Sequence, residues 1–184
     1  MTDADLQQLI LNCRKYDPVS QKKIYRHFYN YGMTICYRYA KNSEEAREIL
    51  NDGFVKAFMK LDKYTQGSSF KGWLSRILVN TAIDSYRKKQ TRPQTVDLVY
   101  AQHVETSANA LELLTAKDLM KLVQKLAPSY RMAFNLHVVE GYTHPEIAKK
   151  LGISEGTSKS NLAKARVKLK AMLQLLDEKK SKYG

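Results

Sequence analysis

The spacing of apolar side chains constrains this chain most, because it advances by three and four residues over long stretches. Residues 18–39 and 46–61 each carry one apolar helical face, and a third such stretch covers residues 70–83. Proline and glycine are scarce, and no strand-like alternation interrupts the spacing. The pattern therefore predicts an all-α protein.

The helical spacing is interrupted at two places. Residues 64–69 have the composition of a loop, and residues 90–110 contain scattered small and polar side chains. We therefore expect two small helical domains, over residues 1–90 and 116–184, joined by a flexible linker over residues 91–115. Near Ala127-Pro128 a new helix is predicted to begin, since proline is well tolerated in a helix's first turn.

The positive charge of the chain is divided between the two predicted domains. The formal net charge of +13 comprises +7 from residues 1–90, −1 from residues 91–117 and +7 from residues 118–184. Two basic bodies on either side of a segment that is not basic suggest two separate contacts with one long polyanion.

Cysteine content and hydropathy indicate a soluble cytoplasmic protein. Cys13 and Cys36 are far apart in the sequence and form no CxxC motif, so a disulfide framework is not indicated. The acidic stretch at residues 1–5 does not resemble a secretory signal, and no apolar run approaches the length needed to cross a bilayer.

The sharpest local signal lies in residues 142–166. Thr143-His-Pro-Glu146 has the form of a capping box with proline in the first turn, which predicts a helix start. Gly152 can end that helix in the left-handed conformation, and Ser154 can cap a second one. The small Ala148 would let the two helices approach, as in a helix-turn-helix. The alternative is an αα-hairpin whose polar residues face water.

In a helix-turn-helix, the second helix enters the major groove with its N-terminal side chains in front. Lysine can bind guanine edges or phosphates, and asparagine suits adenine. Ser158 departs from the usual pattern, because most such motifs place an apolar packing residue there. The candidate DNA-contacting residues on this helix are Thr157, Lys159, Ser160, Asn161 and Lys164.

Several motifs together resemble a known family, the extracytoplasmic-function sigma factors of bacterial RNA polymerase. Region 2 of that family is similar to Ala46-Arg-Glu-Ile-Leu-Asn-Asp-Gly-Phe54, and its DNA-melting helix to Phe70-Lys-Gly-Trp-Leu-Ser-Arg-Ile77 with Asn80-Thr-Ala82. Region 4 is similar to Leu126-Ala-Pro-Ser-Tyr-Arg131, Phe134, Glu140-Gly-Tyr142, Glu146-Ile-Ala148 and Leu151-Gly-Ile-Ser154. The resemblance implies an alternative sigma factor with a region 2 bundle and a region 4 helix-turn-helix.

The resemblance also implies contacts with core polymerase. The helix around residue 50 would dock on the clamp coiled coil of the largest subunit, and the flap region would be a further contact. The matching positions hold Glu48, Asn51, Asp52 and Phe54, where the family more often has Gln and Glu at residues 51 and 52. Taken alone, these acidic residues would be read as an ordinary solvated helix face.

In the same family, the loop and the following helix capture the minus-ten element of the promoter. Tyr64, Ser68 and Asn80 fall on the positions that build the family's pocket for an unstacked base. Trp73 is better explained as a core residue than as a wedge between bases. Phosphate neutralisation is expected from Lys56, Lys60, Lys71 and Arg76.

Region 4 would read the minus-thirty-five element. Where relatives often have arginine, this chain has His137, Lys159 and Lys164, although Arg166 retains it. Lysine lacks the bidentate fork of arginine, so the recognised sequence cannot be inferred from relatives. By resemblance, the linker would follow the RNA exit path and an anti-sigma factor is an expected partner.

Other classes of protein are less compatible with the sequence. The four histidines show no metal-ligand spacing and no nucleophile motif is present, so we expect no enzyme activity, no metal and no cofactor. A membrane-surface helix is disfavoured because few large apolar anchors lie opposite the basic residues near the C-terminus. A DNA-compacting protein or, as the main alternative, a stand-alone helix-turn-helix regulator would explain the basic C-terminal half. Neither explains the resemblance of residues 64–80 to a single-strand pocket.

Overall fold

The computed structural model describes residues 1–91 and 116–183, and the regular elements within these ranges are helical, as predicted. The chain divides into two compact units, Met1–Ser85 and Tyr86–Gly184. The proposed linker, apart from Thr91, lies outside the described residues.

Within the described residues, four α-helices begin in unit 1 and four lie in unit 2. Those of unit 1 are α1 (Asp3–Arg14), α2 (Pro18–Tyr39), α3 (Ser43–Met59) and α4 (Phe70–Thr91), with a 3-10 turn at Leu61–Lys63. Those of unit 2 are α5 (Ala116–Gln124), α6 (Pro128–Phe134), α7 (His144–Leu151) and α8 (Glu155–Tyr183), with a π-helical segment at Asn135–Val139.

Polar side chains define where the helices of unit 1 begin. Asp17 accepts a hydrogen bond from the Ser20 backbone amide at 2.9 Å, which caps α2 immediately before Pro18. Asn42 caps α3 by accepting from the Glu45 amide, also at 2.9 Å. These caps place the starts of α2 and α3 within a few residues of where the apolar pattern starts.

Two glycines allow α4 to lie close against α2 and α3. A Cβ atom on Gly53 would collide with Cδ2 of Leu78, and one on Gly32 would collide with Cδ1 of Leu50 and lie 3.3 Å from Cδ1 of Leu78. Leu50 and Leu78 have no exposed surface, so neither side chain has free space into which it can move. The position of α4 in unit 1 is therefore set by steric fit.

The core of unit 2 forms where α5 and α6 meet α8. Val123, Leu126 and Ala165 are buried together, and Tyr130 and Leu169 pack against them. The buried Arg131 donates from Nη1 to the Gln124 carbonyl oxygen at 2.8 Å, which joins α6 to the end of α5. The helix predicted at Ala127-Pro128 is confirmed, with proline in its first turn.

Both cysteines are buried free thiols in unit 1. Burial raises the pKa of Cys13 to about 11 and that of Cys36 to about 12, so both thiols are protonated and unreactive near neutral pH. Within the described residues, no helix combines the length and the apolar character that a membrane span requires.

Candidate nucleic-acid interface

The loop between α3 and α4 is held in shape by Tyr64. Its hydroxyl donates to the Ser68 carbonyl oxygen at 2.6 Å, and the Ser68 hydroxyl donates to the Thr65 carbonyl oxygen at 2.7 Å. Tyr64 is only 3% exposed, whereas Ser68 is exposed. The tyrosine therefore supports the loop from beneath, and the loop presents Ser68 to solvent.

Trp73 belongs to the aromatic cluster below this loop. Its ring centroid lies 5.4 Å from that of Tyr64 and 5.5 Å from that of Phe70. Phe70 and Tyr64 also meet edge to face at 5.4 Å. Trp73 is half-buried, which agrees with its interpretation as a packing residue.

An open depression of about 790 Å³ adjoins the loop. Its floor includes Phe28 and Tyr64, and its rim includes Ser68 and Lys71 as well as residues from the start of α1. Lys71 also lies over the Tyr31 ring, with Nζ 5.7 Å from the centroid. The depression thus brings buried aromatic rings close to exposed polar and basic side chains, and its lining also includes Asp3 and Leu6.

A second group of the candidate residues lies farther along α4. Arg76, Asn80 and Asp84 recur every four residues and thus share one helix face. Lys56 of α3 donates to Asp84 at 2.8 Å, which brings this lysine to the same face, and Lys60 follows one turn later in the sequence. Asn80 lies about 15 Å along the axis from the first residue of α4, as ten residues of helix require.

Of the four residues expected to contact polymerase, three are exposed and one is buried. Glu48, Asn51 and Asp52 are exposed on α3, and the Tyr25 hydroxyl donates to Oδ1 of Asn51 at 2.9 Å. Phe54 is 2% exposed, and its ring packs 4.8 Å from that of Tyr25. The structure thus places Phe54 behind the acidic face, where it supports the helix.

The capping box that was predicted for α7 is confirmed. The Glu146 amide donates to the Thr143 hydroxyl oxygen at 3.4 Å, and the Thr143 amide donates back to the Glu146 carboxylate at 2.8 Å. The Thr143 hydroxyl donates to the same carboxylate at 2.7 Å, and these bonds hold the pKa of Glu146 below its usual range. This end of α7 is therefore fixed by local hydrogen bonds.

The turn between α7 and α8 also agrees with the sequence. Gly152 has φ of +69°, a left-handed conformation that suits glycine, and its amide donates to the Ala148 carbonyl oxygen at 2.9 Å. The Ser154 hydroxyl oxygen accepts from the Thr157 amide at 3.0 Å, which caps α8. The two helices and their turn thus form at the residues where a helix-turn-helix was predicted.

The candidate base-reading residues on α8 lie within its first four turns. Lys159 forms an ion pair with Glu155 at 2.7 Å, and Nζ of Lys164 lies 6.0 Å from the centre of the Tyr130 ring. Asn161 is half-buried and the others are exposed, namely Thr157, Lys159, Ser160, Lys164 and Arg166. The exposed surface that they share is polar and basic apart from Ala163 and Val167, and this reading face has side chains suited to contact with a DNA groove.

A polar cluster behind this face was not predicted from the sequence. Ser158 has no exposed surface, and its hydroxyl lies 3.0 Å from Nδ1 of His144. The His144 ring stacks on that of His137, with centroids 4.7 Å apart and planes inclined by 9°. His137, which was expected to contact DNA, is half-buried. Among the described residues, no three acidic, histidine or cysteine side chains are placed to hold a metal ion.

Each of the two units matches a model of a known protein region. Residues 24–92 match Sigma-70 region 2, and residues 116–169 match Sigma-70, region 4. The first match covers the loop and α4, and the second covers the helix-turn-helix. Two such regions in this order define a sigma-type protein.

Individual relatives agree with this class. The ECF RNA polymerase sigma factor SigE of Mycolicibacterium smegmatis is 28% identical over 144 residues, covering 76% of this chain and 56% of that protein. This chain thus spans little more than half the length of that relative. The ECF RNA polymerase sigma-E factor of Escherichia coli is 29% identical over 136 residues, covering 67% of this chain and 71% of that protein.

A solved structure is also similar to the chain. The sigma factor RpoE of Bartonella quintana, in complex with the anti-sigma factor NepR, has a TM-score of 0.51 and 25% identity. The similarity covers 83% of this chain and 96% of that protein. Together with the two regional matches, these relatives show that the chain belongs to the extracytoplasmic-function group of the sigma-70 family. It is accordingly an alternative sigma factor.

Proposed function

We propose that the chain binds core RNA polymerase and directs it to promoters through two DNA contacts, one in each unit. One observation carries this proposal: the chain combines a loop-and-helix surface matched by region 2 with a helix-turn-helix matched by region 4. A stand-alone helix-turn-helix regulator would require only the second.

The exposed acidic face of α3 is the proposed polymerase contact. Glu48 and Asp52 lie one turn apart on this face, with Asn51 beside them, so that a basic coiled coil of the largest subunit would find carboxylates and an amide together. Tyr25 holds Asn51 through its hydrogen bond, and the buried Phe54 anchors the helix behind it. A further contact with the flap region would involve unit 2.

The minus-ten element would be held at two levels of unit 1. At the first level, the depression beside Ser68 would receive an unstacked base, with Tyr64 maintaining the loop and Lys71 beside a phosphate. At the second, Asn80 would contact a different nucleotide, because it lies about 15 Å farther along α4. The nearby Lys56, Lys60 and Arg76 would neutralise phosphates there.

The minus-thirty-five element would be read as duplex DNA by the first turns of α8. Lys159 would exchange its ion pair with Glu155 for a base or phosphate, which involves little loss because an exposed pair of this kind contributes little. The proposed contact surface is completed by Thr157, Ser160, Asn161, Lys164 and Arg166.

Regulation by an anti-sigma factor is the expected control on this activity. The similar sigma factor of Bartonella quintana was solved with an anti-sigma factor, which supports a partner of this kind here. We place the protein with polymerase in the cytoplasm and assign it no catalytic activity and no cofactor of its own.

Two variants test the assignment of the two contacts. In transcription with purified core polymerase, Asn80→Ala should reduce open-complex formation on duplex promoters while polymerase binding is unchanged. Lys159→Ala should reduce initiation only where the minus-thirty-five element is intact. Equal losses on templates with that element scrambled would exclude sequence reading by Lys159, and normal opening by Asn80→Ala would exclude its minus-ten role. Tight specific duplex binding by the chain without polymerase would favour the stand-alone regulator.

A further inference from the structure

The contact between α7 and α8 contains a polar pair where an apolar contact is usual. Ser158 has no exposed surface, so its hydroxyl must find a partner inside the protein. The His144 ring provides one at 3.0 Å from the first turn of α7. The Ser158 amide also donates to the Ser154 carbonyl oxygen at 3.1 Å, so the backbone of this serine is part of the first turn of α8.

His144 is itself held by its neighbours. His137 lies parallel to it at 4.7 Å, and Nδ1 of His137 is 2.9 Å from the Tyr142 carbonyl oxygen. A carbonyl oxygen can only accept, so Nδ1 of His137 carries the hydrogen and the orientation of that ring is fixed. The π-helical segment, the first turn of α7 and the first turn of α8 are thereby joined through His137, His144 and Ser158.

Ser158 lies between two of the candidate base-reading residues. Thr157 precedes it and Lys159 follows it, and Asn161 lies three residues farther along. A rotation of α8 about its axis would move these three side chains together while it broke the contact with His144. The contact therefore helps to set the angle at which α8 presents its reading face, together with the apolar packing of Ala165 in the core of unit 2.

We propose that His144 is a positioning residue that seats α8 through Ser158, and that it does so in its neutral form, so that recognition of the minus-thirty-five element weakens as the solution becomes mildly acidic. This inference rests on the proposed function for its DNA readout. Its structural part, the coupling of His144 to α8, can be measured without DNA.

The charges around His144 oppose its protonation. Lys159 and Arg166 of α8 and the neighbouring His137 disfavour a positive charge on His144, whereas Glu155 of α8 favours it. Glu155 is already paired with Lys159 at 2.7 Å. An imidazolium at residue 144 would therefore face repulsion from two other elements of the unit.

The pH range of the expected loss follows from the direction in which the pKa of His144 is shifted. Desolvation, then the neighbouring His137, lowers the pKa of His144 from its ordinary value of 6.5. A histidine with a lowered folded-state pKa contributes its full stability above its unfolded pKa, and this contribution is lost as the pH falls through the folded value. The loss thus begins below about pH 6.5, well above the range in which Glu146 in the α7 capping box would be protonated.

The functional test compares holoenzyme transcription from matched templates with an intact and a scrambled minus-thirty-five element at pH 7.5 and 6.0. The measured quantity is the ratio of transcription from the intact template to transcription from the scrambled template at each pH. Effects of pH on polymerase and on the minus-ten contact cancel in this ratio. For the natural chain the ratio should fall on acidification, by no more than about fourfold between these two pH values, which is the limit for one proton taken up by a group with an ordinary pKa near 6.5. A ratio that stays constant or rises on acidification would overturn the proposal.

Three variants test whether the pH dependence of the ratio arises from the contact between His144 and Ser158. His144→Phe keeps an aromatic ring but cannot titrate or pair with Ser158, so its ratio should be low at pH 7.5 and constant with pH. Adding Ser158→Ala to it should restore the ratio, because the contact becomes apolar, while keeping it independent of pH. His27→Phe removes an exposed histidine of unit 1 that lines the depression beside Ser68, and it should keep the natural pH dependence of the ratio, because the ratio cancels effects on the minus-ten contact. A His144→Phe protein with the natural pH profile would contradict the assignment.

NMR of the full chain separates failure of this inference from failure of the proposed function. Amide signals of residues 157–164 should shift with pH in step with the His144 ring, and this shift should vanish in His144→Phe. If the natural chain shows no minus-thirty-five dependence even at pH 7.5, the proposed function fails, and the amide titration still tests the coupling. Amide signals that ignore the titration of His144 would disprove the coupling itself.

Discussion

The two units hold their proposed DNA-contacting helices by different physical means. In unit 1, α4 is fixed by apolar fit, because Leu78 fills the space left by Gly32 and Gly53. In unit 2, the start of α8 is fixed by hydrogen bonds, among them those to Ser154 and between His144 and Ser158. The first arrangement is sensitive to volume and insensitive to pH, whereas the second responds to the loss of single polar atoms and to protonation.

The largest expected effect comes from adding one methyl group to unit 1. Gly53→Ala should destabilise this unit by about 1 to 3 kcal/mol, because its Cβ meets the fully buried Leu78. Trp73, the single tryptophan, lies in this unit, so its fluorescence during denaturant unfolding measures the loss there.

Gly72→Ala is the matched control for this volume effect. A Cβ at residue 72 would meet only the Ser69 side chain, at 3.6 Å or more, so the variant should be as stable as the natural chain or more stable by about 0.5 to 1 kcal/mol. If both alanine variants were equally stable, apolar fit would not be what positions α4.

The next largest effect is expected from the capping boxes, because the two units each contain one of the same form. Thr143→Ala should destabilise α7 by about 1 kcal/mol and reduce initiation that depends on the minus-thirty-five element. Thr2→Ala removes the corresponding box at the start of α1, where the Thr2 amide donates to Asp5 at 2.9 Å. It should leave the preference for an intact minus-thirty-five element unchanged.

The outcome that would contradict this comparison is an equal loss of that preference in both capping variants. Acid provides a second check on the caps. The Thr143 hydroxyl lowers the pKa of Glu146, and the Thr2 amide lowers that of Asp5. A carboxylate with a lowered folded-state pKa stabilises the protein above its unfolded pKa, so both caps should persist at pH 6 and weaken only below about pH 4 to 4.5.

The smallest expected effect concerns the ion pair between Lys56 and Asp84. Both side chains are partly exposed, so breaking the pair by Asp84→Asn should change stability by less than about 1 kcal/mol. Lys56→Gln should in addition lower the salt dependence of promoter binding by about one phosphate contact. Binding of the holoenzyme to promoter DNA, measured over a range of salt concentrations, distinguishes the two variants. If Asp84→Asn flattened the salt dependence as much as Lys56→Gln, Lys56 would be a structural residue.

Much of the fold follows from local signals in the sequence. The apolar steps of three and four residues predicted α2, α3 and α4, and the caps and glycine of the helix-turn-helix lie where Thr143, Gly152 and Ser154 indicated them. These features depend on residues within one helical turn of each other, so they can be derived from sequence alone.

The parts that sequence could not predict depend on contacts between distant residues. Tyr64 falls on a family position in a predicted loop, and only the packing around it shows that its side chain is buried, whereas Phe54 already belonged to the apolar face predicted for residues 46–61. Ser158 looked like a defect in the helix-turn-helix because its partner, His144, lies fourteen residues away. The Thr2-x-x-Asp5 signal at the start of α1, by contrast, is present in the sequence and could have been recognised.

The most direct test of the central claim is transcription in vitro with purified core polymerase, with and without the chain, on fragments that carry candidate promoters. Discrete transcripts that require the chain, and that weaken when either promoter element is scrambled, are the expected result for a sigma factor with two DNA contacts. Specific duplex binding by the chain alone, with no transcript dependent on it, would contradict the claim.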